Sequence, residues 1–152
     1  MWEAYTRELP PEHAHRFATP DAFGFGGEPE LADELAALVL AGKKRATTSL
    51  PAEYTTLNEP LPKPGDPSIV LRGDGTPVAI IETTEVTSVR FGSVSAEFAA
   101  VEGEGDGSLA YWREAHLDYF GSVCARLGGH FDADTTVLCQ VFRVVWEVGA
   151  RT

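Results

Sequence analysis

The sequence predicts one α+β domain, built on a small mixed or antiparallel β-sheet or barrel with helices packed around it. Three observations predict this. Runs rich in β-branched and aromatic residues at 68–72, 77–90 and 137–148 read as strands. Two stretches with apolar residues at helical spacing, 30–41 and 108–127, read as helices inserted between them. The strands are mostly sequence neighbours, and the regular β-α-β alternation of a doubly wound fold is missing.

A chain of 152 residues is the size of a single domain able to bury its own core. Residues 28–148 read as the core and 1–27 as a lead-in. Met1 to Leu9 suits a short helix. Pro10, Pro11, Pro20, Gly24, Gly26 and Gly27 then predict an irregular wrap. His13 and His15 form an H-x-H pair with no third ligand nearby, so they are expected to be exposed loop residues.

In the helix at 30–41, Leu31, Leu35, Leu38 and Val39 recur on one side, and Pro29 suits the first turn. Gly42 is placed to end it in the left-handed conformation. Ala46 to Leu50 reads as a short strand, and the four prolines between Glu59 and Pro67 mark a loop. Gly73-Asp74-Gly75 is a hairpin turn between strands. Ser95 to Val101 suits a helical turn. The acidic, glycine-rich run from Glu102 to Gly107 feeds the long helix, whose start Asp106 or Ser108 can cap. Leu109, Trp112, His116, Tyr119, Phe120, Val123 and Leu127 trace its apolar stripe. In the closing strand, Phe142, Val144, Trp146 and Val148 share a face.

Twelve lysines and arginines stand against 23 acids, a net charge of −11. That field repels long polyanions, so DNA is not an expected partner and RNA contact must be local. No apolar run approaches bilayer length, and the first residues are acidic where a signal peptide is basic. With Cys124 and Cys139 forming no C-x-x-C pair, a cytoplasmic protein with free, buried thiols and no membrane partner is expected.

Two segments carry candidate chemistry. In Lys43-Lys44-Arg45-Ala46-Thr47, Lys44 is flanked by cations that would lower its pKa, which makes it the expected general base for Thr47, whose hydroxyl is the expected nucleophile. Spacing alone favours a solvated basic helix end. Lying outside the apolar pattern, Lys44 is expected to add little packing, within about 1 kcal/mol. The second segment holds Glu102, Glu104 and Asp106. Its carboxylates suit acid–base work, the orientation of a lysine or the holding of a metal ion, although the pattern alone favours an acidic helix start that satisfies the dipole. His116 and Trp112 lie on the apolar stripe and read as core.

Five segments together resemble the ASCH domain family, specifically its longer bacterial members once recorded only as a domain of unknown function. They are Pro29-Glu30-Leu31-Ala32-Asp33-Glu34-Leu35, Gly42-Lys43-Lys44-Arg45-Ala46-Thr47, Val78 to Val86, Glu102-Gly103-Glu104-Gly105-Asp106, and Tyr111-Trp112-Arg113-Glu114-Ala115-His116. The resemblance implies a PUA-like small barrel and a link to RNA or modified nucleosides. It implies Lys44, Thr47 and Glu104 as catalytic candidates for deacetylating acetylcytidine, with Glu102 as the fallback acid. Lys43, Arg45, Glu102 and Ser108 are the binding candidates. Neither a metal nor a cofactor is implied. The expected partner is a nucleoside-like small molecule, with single-stranded RNA and a ribonuclease or RNA-binding role as alternatives. Small family members often carry an arginine where this chain has Ser49, which bears on the substrate.

Overall fold

The computed structural model describes residues 1–149. Helices α1 (Trp2–Arg7), α2 (Pro29–Leu40), α3 (Pro51–Thr55), α4 (Ala96–Glu102) and α5 (Leu109–Arg126) surround strands β1 (Asp21–Phe23), β2 (Ala46–Ser49), β3 (Pro67–Leu71), β4 (Pro77–Arg90) and β5 (Thr136–Glu147). The strands form one mixed sheet in the order β1-β3-β4-β5-β2. Only the β1–β3 pair is parallel. Register shifts at Ile80/Ile81 and Thr83/Glu85 interrupt the long β4–β5 ribbon, and such bulges bend a strand and increase its twist. The sheet curls into a half-barrel with β1 and β2 at its edges.

Strand alternation sends side chains to two apolar clusters. Phe25, Leu35, Val39, Val70, Ile81 and Phe142 pack beneath α2. Leu50, Phe91, Trp112, Phe120, Val137 and Cys139 pack against α4 and α5. Cys124 and Cys139 are buried and free, as expected.

The helix at 30–41 ends as the sequence predicts. Gly42 has φ of 81°. Its N–H reaches Val39 O at 3.1 Å, and the Lys43 N–H reaches Leu38 O at 3.0 Å. These two bonds are the Schellman pattern, which needs a left-handed residue at Gly42.

The lead-in differs from expectation. Asp21–Phe23 is a strand paired with Ser68–Val70. Three residues are too few to show a period, so only the partner β3 defines it. His15 is 2% exposed and not a free loop residue. Its ring lies 2.8 Å from the Tyr5 hydroxyl, 2.8 Å from Gly65 O and 3.1 Å from Glu82. Two of these three partners, Gly65 and Glu82, lie 50 residues or more away in sequence. The α5 stripe is narrower than expected: Tyr119 and Leu127 are exposed, and Cys124 is buried. The short α3 was not anticipated, and Glu53 caps it by accepting the Leu50 N–H at 2.9 Å.

Candidate functional site

Two backbone segments meet to make the site. After the α2 turn, the chain runs past the end of α4, and the Arg45 N–H donates to Val101 O at 2.9 Å. Gly103 has φ of 70°, and a Cβ there would stand 2.0 Å from Lys43 O. Only glycine allows this approach. It brings Glu102, the last residue of α4, and Glu104, two residues on, against Lys44.

Lys44 is fully buried, at 0% exposure. Its Nζ donates to Ala46 O at 2.7 Å, Glu104 Oε2 at 2.7 Å and Glu102 Oε2 at 3.4 Å. Three acceptors match the three donors of an ammonium. The same atom lies 4.9 Å from the centre of the Phe25 ring, within cation–π range.

Glu102 is the hub of the cluster. Its Oε1 accepts from Thr48 Oγ1 at 2.8 Å and from Trp112 Nε1 at 2.7 Å. Its Oε2 faces Lys44 and His116 Nε2, the latter at 3.1 Å. Burial alone would raise the Glu102 carboxyl. The charge of Lys44 and the bond and charge of His116 outweigh burial and hold it far below the usual carboxylate range. His116 Nδ1 lies 2.8 Å from Trp112 O, which can only accept, so Nδ1 carries a proton. Burial pulls the imidazole down, but the hydrogen bond and charge of Glu102 raise it on balance. The His116 ring stacks on Trp112 with centroids 4.3 Å apart.

Glu104 differs. Its side chain is 17% exposed and lines a cleft of about 820 Å³. Burial raises its carboxyl, Lys44 pulls it down, and the Glu102 charge pushes it up again, with a net rise. Both acids line the cleft, but Glu102 is a saturated, buried anion, while Glu104 is the one that is raised and partly exposed there.

Thr47 sits on β2 opposite Gln140, is half-buried and lines the same cleft. Lys44 Nζ makes no hydrogen bond to it. The neighbouring Thr48 points to the other face and joins the cluster through Glu102. The even offset between Lys44 and Thr48, four residues, was a usable signal that they share a face. Lys43, Arg45 and Ser108 do not line the cleft. Lys43 is exposed. Arg45 donates to Val39 O and Lys44 O and closes the end of α2. Ser108 caps α5, accepting the Tyr111 N–H at 3.1 Å. Sequence reasoning left His116 and Trp112 in the core, and their bonds to Glu102 place both in the charged cluster as well.

Glu102, Glu104 and His116 offer ligand atoms within 4.8 Å of one another, a geometry able to hold a metal ion. The Lys44 ammonium already bonds to both carboxylates, so the protein supplies the positive charge there itself.

The family model of the ASCH domain matches residues 21–146. Among solved structures, the ASCH domain from Lactobacillus crispatus JV V101 is similar, with a TM-score of 0.88 and 38% identity, over 95% of this chain and 91% of that one. A DUF984 protein from Enterococcus faecalis V583 is similar with a TM-score of 0.81 and 35% identity, over 94% of this chain and 86% of that one. No curated protein matches the chain.

Proposed function

The chain belongs to the ASCH domain family, a family of PUA-like fold, and on that premise we propose that it hydrolyses a small acylated, nucleoside-like amide such as acetylcytidine. The observation that carries the reading is Glu104. It combines cleft access, a raised carboxyl and a 2.7 Å bond to a buried ammonium. A carboxyl raised above its ordinary range holds a proton more readily and can both take and return one.

In the proposed reaction, Glu104 takes a proton from a water as that water's oxygen bonds to the acyl carbon. The C–N bond then breaks, and Glu104 returns the proton to the departing nitrogen. One water and one amide become a carboxylic acid and an amine. Lys44 serves as a fixed charge that positions Glu104, because its three donors are all engaged. The general-base role that the sequence suggested for Lys44 therefore passes to Glu104. Thr47, on the cleft wall, offers its hydroxyl to the carbonyl oxygen as negative charge develops there. Two buried thiols left unpaired accord with a cytoplasmic setting.

The test is incubation with acetylcytidine and, separately, single-stranded RNA, with products separated by chromatography. Release of cytidine and acetate is expected. An untouched acetylcytidine pool would sink the reading, and shortened RNA would favour a ribonuclease. An acetyl adduct in the intact mass, mapped to Thr47 by peptide sequencing, would move the nucleophile from water to that residue.

A further inference from the structure

Resting on the assignment of the cleft as the substrate site, we propose that it selects by charge: it takes a free nucleoside or base, neutral or cationic, and rejects the matching nucleotide and any RNA strand.

The cleft's charges motivate this. Within the buried cluster, Lys44 and His116 face Glu102 and Glu104, two basic side chains against two acids. Among the described residues, the rest of the lining carries Asp21, Glu53, Glu59 and Asp66 against a single cation, Lys63. That lysine is engaged by Asp66 at 2.6 Å. Among the described residues, no salt bridge is formed by the other three acids.

Tyr54 reports the field they make. Its hydroxyl donates to Ser49 Oγ at 3.0 Å, inside the same lining. Burial first, and then the charges of Glu53, Asp21 and Glu59, push its phenol up, while the bond to Ser49 pulls it down. Position 49 itself offers a neutral hydroxyl and no guanidinium. Phosphate recognition relies on arginine or lysine, and neither Lys43 nor Arg45 lines the cleft. The charge of Arg126 acts on Glu53, yet Arg126 does not line the cleft either. Carboxylates within a Debye length of a bound phosphate repel it, and the concave walls reduce screening by water.

The test is isothermal titration calorimetry of the full chain with acetylcytidine and with its 5′-monophosphate, at low and raised salt. The monophosphate should bind at least about ten-fold more weakly, and the gap should narrow with salt. An Asp21→Asn, Glu59→Gln double variant should narrow it too. Both residues are exposed and lie outside the proposed catalytic set, so the fold should persist. Equal or tighter binding of the monophosphate would overturn the proposal. Tight nucleoside binding without turnover would leave charge selection standing and remove the hydrolase reading. Binding of neither compound would remove both.

Discussion

Lys44 Nζ stands 2.7 Å from Glu104 Oε2, although 60 positions of sequence separate the two residues and the lysine has no exposed surface. This overturns the expectation that Lys44 adds little to stability. Replacing it by alanine leaves Glu104 without its cation and Glu102 with His116 alone. Removing one partner of such a pair typically costs about 3–5 kcal/mol. Urea denaturation of Lys44→Ala at pH 7 should show a loss of that size. A loss below about 1 kcal/mol would mean that Lys44 does not hold the two carboxylates.

Glu104→Gln separates chemistry from folding. The carboxyl is partly exposed, and its amide replacement has nearly the same shape, so far-UV circular dichroism should be unchanged. Loss of acid–base help should slow acetylcytidine hydrolysis by roughly 10²–10⁴. A fully active variant would remove Glu104 from the reaction.

The pH dependence of stability has a definite sign. The folded pKa of His116 is raised, by Glu102 against the pull of burial. Its contribution is therefore complete below its unfolded value, about 6.5, and is lost as pH rises through the folded value. Glu104 is also raised, so its contribution declines from about pH 4.3 upward. Glu102 is depressed and acts oppositely: its contribution is present above about 4.3 and is lost on acidification. Stability should thus fall between about pH 6.5 and 8, before unfolded thiols titrate near 8.5. His116→Gln should flatten that limb in urea midpoints. An unchanged slope in the variant would exclude His116 as its source.

Gly103 and Gly107 form an internal comparison. Both have positive φ, at 70° and 77°. A Cβ at Gly107 meets nothing within 4 Å, whereas at Gly103 it strikes Lys43 O. Gly107→Ala should cost only the left-handed penalty, about 1–2 kcal/mol. Gly103→Ala should cost more, because the end of α4 must also move away from Lys43. Equal thermal shifts for the two variants would contradict the close packing of α4 on the 43–45 segment.

Several elements were legible in the sequence because near neighbours determine them. The apolar spacing of Leu35 and Val39, followed by Gly42, specifies both α2 and its Schellman end. Ser108 caps α5 as its position implies, and β3, β4 and β5 fall within a residue of their expected bounds at either end. The family pattern also marked Lys44, Thr47 and Glu104. What the sequence left open was decided by contacts of long range. Glu102 and Glu104 are two residues apart and chemically identical. Thr48, Trp112, His116 and Lys44 converge on Glu102 and saturate it, so that of the two acids lining the cleft Glu104 is the one left partly exposed there. His15 is buried by partners at Tyr5, Gly65 and Glu82. Lys44 reads as a solvated helix end until the α4 terminus closes over it. A periodic pattern records which face of an element is apolar, but desolvation and charge pairing depend on which distant elements meet. Only the tertiary structure specifies that meeting.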